Sequence, residues 1–315
     1  MSVEATYILP IRMNAVDAIN ELSGYLRTLE VTQLIVVDAS DADAFDRLDR
    51  EIGGFTLHIR PSVDGRNGKV RGVLTGLRLA SEDRVVVADE DVRYDGRSLR
   101  EVVRRLDDAD VVRPQNFFLP APWHAVWDSA RSLINRAFDG DWPGTLAFRR
   151  SAVPKGYNPD VLFENYELVR TIRAGGGKED VARDLFVARR PPSFQHFIGQ
   201  RVRQAYDEFA RPLRLLIGLA ALPLLAACWL RFGTMAMWGF VALTTACAGA
   251  GWLRAGAGRY YSALSIAAAP LWALERGICS WLALFERLWF GGVRYSDSII
   301  PDAASSRNER KKWAL

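Results

Sequence analysis

Two hydrophobic patterns divide the chain. Up to about residue 210, short solid apolar runs alternate with stretches whose apolar residues recur at helical spacing; beyond Arg214, uncharged residues run unbroken from Leu215 to Leu230 and again from Phe232 to Leu253. In the first part the runs predict buried strands at Tyr7 to Ile11, Leu34 to Val37, Thr56 to Ile59, Arg84 to Ala88 and Asp110 to Arg113. The periodic stretches predict helices at about Ala15 to Leu29, Ala42 to Ile52, Lys69 to Ala80 and Arg97 to Leu106. Strands that are solidly apolar and alternate with helices predict an α/β domain with a mostly parallel sheet covered on both faces. Ligands of such sheets sit beyond the carboxyl ends of the strands. Polar residues stand at several of those ends: Pro10 and Arg12, Asp38, then Asp89, Glu90 and Asp91.

The second part reads as a membrane region. Leu215 to Leu230 has 16 residues, roughly 24 Å of helix, which spans a hydrocarbon core of about 30 Å only if Arg214 and Arg231 reach out to the interfaces. Phe232 to Leu253, with 22 residues, is long enough. A turn at Phe232-Gly233-Thr234 makes a transmembrane hairpin of segments 215–231 and 234–253. Arg201, Arg203, Arg211 and Arg214 before it and Arg254 and Arg259 after it place both ends in the cytosol. A buried hairpin of a soluble protein is the alternative, and the Gly, Ala, Leu and Trp content favours lipid. Tyr260 to Phe290 is interrupted by Glu275-Arg276 and Glu286-Arg287, eleven residues apart and so on one helix face. That predicts an amphipathic helix lying in the interface over 260–290 rather than a third span. The basic run Arg307 to Lys312 is expected to be a mobile tail. The expected division is a cytosolic catalytic domain over 1–210 and a multi-pass membrane region over 211–315, at the inner, cytoplasmic membrane.

Composition adds limits. With 315 residues, 49% of them hydrophobic, there is material for one large domain and an appendage. A net charge of +4 gives no broad basic face, so no nucleic-acid partner is expected. Cys228, Cys247 and Cys279 lie in apolar stretches without metal-ligand spacing and read as small buried hydrophobes in a reducing compartment. Met1 to Thr6 does not lead into an apolar run of the signal-peptide kind.

The strongest chemical signal is the apolar strand Val85-Val86-Val87-Ala88 running into Asp89-Glu90-Asp91. Three like charges together call for a cation, and hard carboxylate oxygens suit Mg²⁺ or Mn²⁺ that also touches a diphosphate. Asp89 and Asp91 are the candidate metal ligands. Asp64-Gly65-Arg66-Asn67-Gly68-Lys69 opens the helix before that strand, where a helix N-terminus, Arg66 and Lys69 favour an anion; the same residues also suit an ordinary turn and helix cap. Asp38 can accept hydrogen bonds from a base or ribose, or cap the following turn.

The ordered set Tyr7-Ile8-Leu9-Pro10-Ile11-Arg12, Ile35-Val36-Val37-Asp38, Asn67-Gly68-Lys69 and Asp89-Glu90-Asp91 resembles family 2 glycosyltransferases of the GT-A fold. So do Gly144-Thr145-Leu146-Ala147-Phe148, Glu164-Asn165-Tyr166-Glu167-Leu168 and Gln200-Arg201-Val202-Arg203-Gln204. The resemblance covers about residues 5 to 210 and extends to membrane-anchored, lipid-directed and ceramide-glucosyltransferase-like members. It implies inverting transfer from a nucleotide-diphosphate sugar, a UDP-sugar by expectation, to a lipid or lipid-linked acceptor at the cytosolic membrane face. It implies donor contacts from Pro10, Arg12, Asp38, Arg66, Lys69, Asp89, Gln200 and Arg203. Trp142, Gly144, Thr145 and Asn165 would lie on the acceptor side. Asp89 and Asp91 would hold Mg²⁺ or Mn²⁺, with Asp91 and Glu164 catalytic. Two departures stand out. Where the family carries an aspartate base the chain has Asn165, so Glu164 becomes the base candidate, with Glu167 one turn along as a weaker one. The family's QxxRW motif ends in Gln204 instead of tryptophan, which disfavours a polysaccharide synthase; an inactive membrane-bound scaffold is the reading from a different class.

Overall fold

A computed structural model describes residues 2–13, 17–295 and 298–314. Along the chain these form β1 (Val3–Ile11), α1 (Asp17–Leu26), β2 (Val31–Asp38), α2 (Ala42–Ile52), β3 (Leu57–Ile59), α3 (Gly68–Leu79), β4 (Arg84–Ala88), β5 (Val92–Arg93) and α4 (Gly96–Arg104). There follow β6 (Val111–Phe118), α5 (Trp123–Phe138), β7 (Thr145–Arg149), α6 (Glu164–Ala174), β8 (Glu179–Arg189), α7 (Phe194–Gly199) and α8 (Arg201–Tyr206). The rest is α9 (Pro212–Phe232), α10 (Thr234–Leu253), α11 (Leu264–Ala267), α12 (Ala269–Phe290), β9 (Val293–Tyr295), β10 (Ser298–Ile300) and α13 (Arg307–Ala314). The chain divides into two compact units: residues 1–116, 142–188 and 305–315, and residues 117–141 and 189–304.

The main sheet has the order β3-β2-β1-β4-β7-β6-β8-β5. β1 pairs in parallel with β2 and β4, β2 in parallel with β3, and β7 runs antiparallel between β4 and β6. This mixed, mostly parallel arrangement fits the GT-A fold. Alternation along the strands explains why they are apolar throughout: Tyr7, Leu9, Val86 and Ala88 enter one core, whereas Ile8, Val85, Val87 and Phe148 enter the other. Helix α3 packs tightly on β1 because Gly72 and Gly76 carry no side chain; a Cβ would stand 2.7 Å from Pro10 Cβ and 2.6 Å from Ile8 Cγ2.

In the other unit, α9 and α10 are long and apolar enough to cross a membrane, by length and composition. Pro212 sits at the start of α9, where its missing N–H costs nothing, and Gly233, at φ +57°, turns the chain into α10. Helix α12 packs on α9 through small residues: a Cβ on Gly218 would stand 2.5 Å from Ser280 Oγ, and one on Gly277 would stand 2.9 Å from Leu222.

Two expectations change. The stretch 260–290 is not one helix: α11 ends before Pro270, and α12 starts there with the proline in its first turn. Nor is Arg307 to Lys312 a loose tail. It is helix α13, docked by Arg310 Nε, which donates to the fully buried Glu167 Oε2 at 3.1 Å, while the Ser305 N–H donates to the same oxygen at 3.0 Å. A buried carboxylate recruits a cation, so the basic run is ordered rather than solvated.

Candidate active site

At the carboxyl end of β4, Lys69 Nζ stands 2.5 Å from Asp89 Oδ1 and donates to Glu164 Oε1 at 2.8 Å. One ammonium thus joins the metal candidate to the base candidate, two carboxylates far apart in sequence. Burial would lower the lysine pKa, but Asp89 and Glu164 together raise it above the ordinary value, so Lys69 is a fixed positive charge. The local fold makes this meeting reliable. Asn67 caps α3, its Oδ1 accepting from the Lys69 and Val70 N–H groups at 3.1 and 3.2 Å, while its Nδ2 donates to the Val161 and Leu162 carbonyls at 2.9 and 3.2 Å. The Asn67 N–H donates to the Pro159 carbonyl at 2.9 Å and that of Arg66 to Asp160 Oδ1 at 2.9 Å. Gly65, at φ +151°, lies so close to Pro159 that a Cβ would stand 2.5 Å from its Cβ. The turn before α3 and the loop before α6 are therefore stitched together, which brings Lys69 to Glu164.

The neighbouring strand closes on the same edge. The Asp89 N–H donates to the Gly144 carbonyl at 2.8 Å and the Gly144 N–H to Asn116 Oδ1 at 2.7 Å. Thr145 Oγ1 donates to the Val87 carbonyl at 2.6 Å, beside the Tyr94 hydroxyl at 3.0 Å. Asn165 Nδ2 donates to the Pro143 carbonyl at 2.7 Å, so this residue holds the loop before β7 and cannot serve as a base. Trp142 packs against Phe163 and Tyr166, ring centroids 5.4 and 5.2 Å away, with the Arg113 guanidinium 4.1 Å from its ring.

Asp38, at the end of β2, is buried; its Oδ1 accepts from the Ser40 N–H at 2.7 Å and its Oδ2 lies 3.3 Å from His58 Nε2. Burial pushes this carboxyl up, but the hydrogen bonds from His58 and Ser40 outweigh it and hold it below the usual carboxylate range. His58 also reaches Asp49, at 2.9 Å, and stacks on Phe45 with centroids 4.0 Å apart. Pro10 lies on β1 opposite Val37, whereas Arg12 and Arg66 are exposed. Gln200 and Arg203 belong to the other unit, Gln200 next to His196 and Arg203 5.1 Å from the Tyr295 ring. Glu167, which holds α13, does not fit the role of a base. His58 and Asn116 were not expected. A lone histidine in a three-residue strand and an asparagine late in β6 carry no pattern that marks them.

Among the described residues no three His, Cys, Asp or Glu side chains form a group able to hold a metal ion. Asp89 and Asp91 are nevertheless the right donors for Mg²⁺ or Mn²⁺, which bind through one or two carboxylates and complete their sphere with phosphate oxygens and water. The ammonium against Asp89 shows that this edge already gathers positive charge.

No protein-family model matches the chain, and no curated protein does. Solved structures do. The mannosyltransferase of Pyrobaculum calidifontis, in complex with GDP-Man and Mn²⁺, is 19% identical over 92% of this chain and 88% of its own, with a TM-score of 0.57. Glucosyl-3-phosphoglycerate synthase of Mycobacterium tuberculosis, in complex with Mg²⁺ and UDP, is 16% identical over 61% of this chain and 73% of its own, with a TM-score of 0.40. Both are glycosyltransferases, and both hold a divalent cation together with a nucleotide or nucleotide sugar. The first establishes that this chain has the fold of a nucleotide-sugar glycosyltransferase.

Proposed function

We propose that the chain is an inverting, metal-dependent glycosyltransferase that moves a sugar from a nucleotide-diphosphate sugar to a lipid or lipid-linked acceptor at the cytosolic face of a membrane. The observation that carries this reading is the Lys69 bridge between Asp89 and Glu164 at the carboxyl edge of a sheet with this fold. Asp38, at a strand end with His58 behind it, would receive the nucleotide. Asp89 and Asp91 would hold Mg²⁺ or Mn²⁺, which when bound offsets the diphosphate charge and eases departure of the nucleotide. Glu164 takes the proton of the acceptor hydroxyl as it attacks, and Lys69 holds that carboxylate in position. Asn165 and Asn116 fix the strand edge beside them. Helices α9 to α12 supply the membrane region: α9 and α10 as a hairpin whose ends are both cytosolic, α12 along the interface. A transferase tethered to a bilayer suits an acceptor that lives there.

The test is mass spectrometry of lipid extracts incubated with purified protein, a panel of nucleotide sugars and Mn²⁺. A donor-dependent glycolipid, absent in excess EDTA, is the expected product. Release of free sugar with no lipid product would sink the acceptor assignment, and turnover of no donor would sink the transferase reading.

A further inference from the structure

Among the described residues, Arg276 on α12 is a buried charge with no counter-ion within ion-pairing distance. It is 8% exposed. Its Nε and Nη1 are sealed from solvent and meet no acceptor, and its guanidinium lies 5.3 Å from the Trp272 ring. Burial holds this guanidinium below its usual pKa; Glu208 and Glu275 attract it from a distance, while Arg201 and Arg131 repel it. The carboxylates around it face other arginines, although Glu208 Oε2 is itself buried without a hydrogen-bond donor. Glu208 lies 2.8 Å from Arg211 and 3.5 Å from Arg214. Glu275 accepts from Trp127 Nε1 and lies 3.5 Å from Arg201. Asp128 lies 2.8 Å from Arg201 and 3.4 Å from Arg131, and Asp141 lies 2.7 Å from Arg131.

Arg201, 6% exposed, is in a similar state on one side: its Nη2 donates to Asp128 and Gln204, but its Nε and Nη1 have no hydrogen-bond acceptor. Both guanidinium groups thus hold buried N–H groups that meet no hydrogen-bond acceptor, Arg201 with carboxylates beside it and Arg276 with none within ion-pairing distance among the described residues. Water could satisfy the N–H groups but not the charge, and a buried unpaired guanidinium is costly to keep. What the site lacks is an anion with several oxygens, and a tetrahedral oxyanion can engage two arginine forks at once.

We infer that Arg276 and Arg201 form a binding site for a phosphate group, carried by an anionic lipid or free in solution. The site lies wholly within the helical unit, whose α12 turns Ile278, Phe285 and Trp289 outward. The inference concerns binding alone and stands whether or not the chain transfers sugar.

The test uses the full chain in nanodiscs. One arm titrates inorganic phosphate into discs of phosphatidylcholine alone; the other compares those discs with discs containing phosphatidate. The melting temperature is expected to rise in at least one arm. A rise with phosphatidate only assigns the site to a lipid headgroup, and a rise in both assigns it to any phosphate group. Arg276→Gln should weaken the effect about tenfold to a hundredfold, the scale of losing charge-assisted hydrogen bonds. Arg276→Lys, which keeps the charge and loses the fork, should weaken it less, and it decides the matter if the glutamine variant does not fold. No rise in either arm, or a rise of the same size in the variants, overturns the inference.

Discussion

The sheet unit exposes few large apolar side chains among its described residues, Phe55, Leu57 and Leu79, the last the most open at 46%, whereas in the helical unit Leu230 reaches 87% and Trp238, Leu243, Leu288 and Trp289 all lie open. Buried charge follows the opposite trend. In the sheet unit, half-buried Lys69 has two carboxylates; in the helical unit, buried Arg276 has none within ion-pairing distance among the described residues. The sheet unit is ordered by water, with apolar groups inside and charges paired where they leave the surface. The helical unit has apolar groups outside and arginines inside, an arrangement that suits surroundings of lipid. The two units therefore present different surfaces to their surroundings.

The largest effect expected from this contrast is on the helical unit's ion cluster. Asp128 is buried between Arg201 and Arg131; Asp128→Asn should destabilise the chain by about 3–5 kcal/mol, since removing one partner leaves buried charge uncompensated. Burial would raise this carboxyl, but Arg131 and Arg201 hold it well below the usual range. A depressed folded-state pKa stabilises fully above the unfolded value, about 3.9, and the contribution is lost as pH falls toward the folded one. The gap in melting temperature between wild type and variant should be constant from pH 7 to about 4 and narrow below it. A gap that widens in acid would reverse the sign of the argument.

Next in size is Leu224→Arg on the exposed face of α9, costing about 3 kcal/mol if that face meets hydrocarbon. Carbonate extraction of membranes reads it: the wild type should stay in the pellet and part of the variant should be released. Equal retention would break the assignment of α9 to the bilayer. Glu164→Gln should lower transfer by about 10²-fold with donor binding nearly unchanged, the pattern of a lost general base. Normal transfer by this variant would favour an acceptor phosphate that arrives already ionised. The smallest effect belongs to the sheet unit's surface: Arg84→Gln, which removes a half-exposed pair with Asp107, should shift stability by less than about 1 kcal/mol.

Legibility in the sequence followed burial. β4 and α2 were predicted at the residues they occupy, because β4 is apolar on both faces and α2 has a strict amphipathic spacing. β8 was missed: Glu179, Asp180, Arg183 and Asp184 interrupt it and hide the strand among charges. Asp89, Lys69 and Glu164 were each singled out, but not their meeting, because it depends on Asn67 bonding to backbone more than ninety residues away, and backbone carbonyls carry no sequence signal. The order of α13 was hidden for the same reason, since Arg310 reads as solvated until Glu167 is placed beside it.

The docking of α13 on α6 also sets a timetable. The sheet unit is assembled from three separated stretches, the third of which follows both long apolar helices. During synthesis Glu167 stays without its arginine until residue 310 has been made, by which time α9 and α10 have already emerged and must have found their surroundings. The sheet unit is thus latched only after the helical unit has been made, and a chain that stops short of residue 310 is left with that core open.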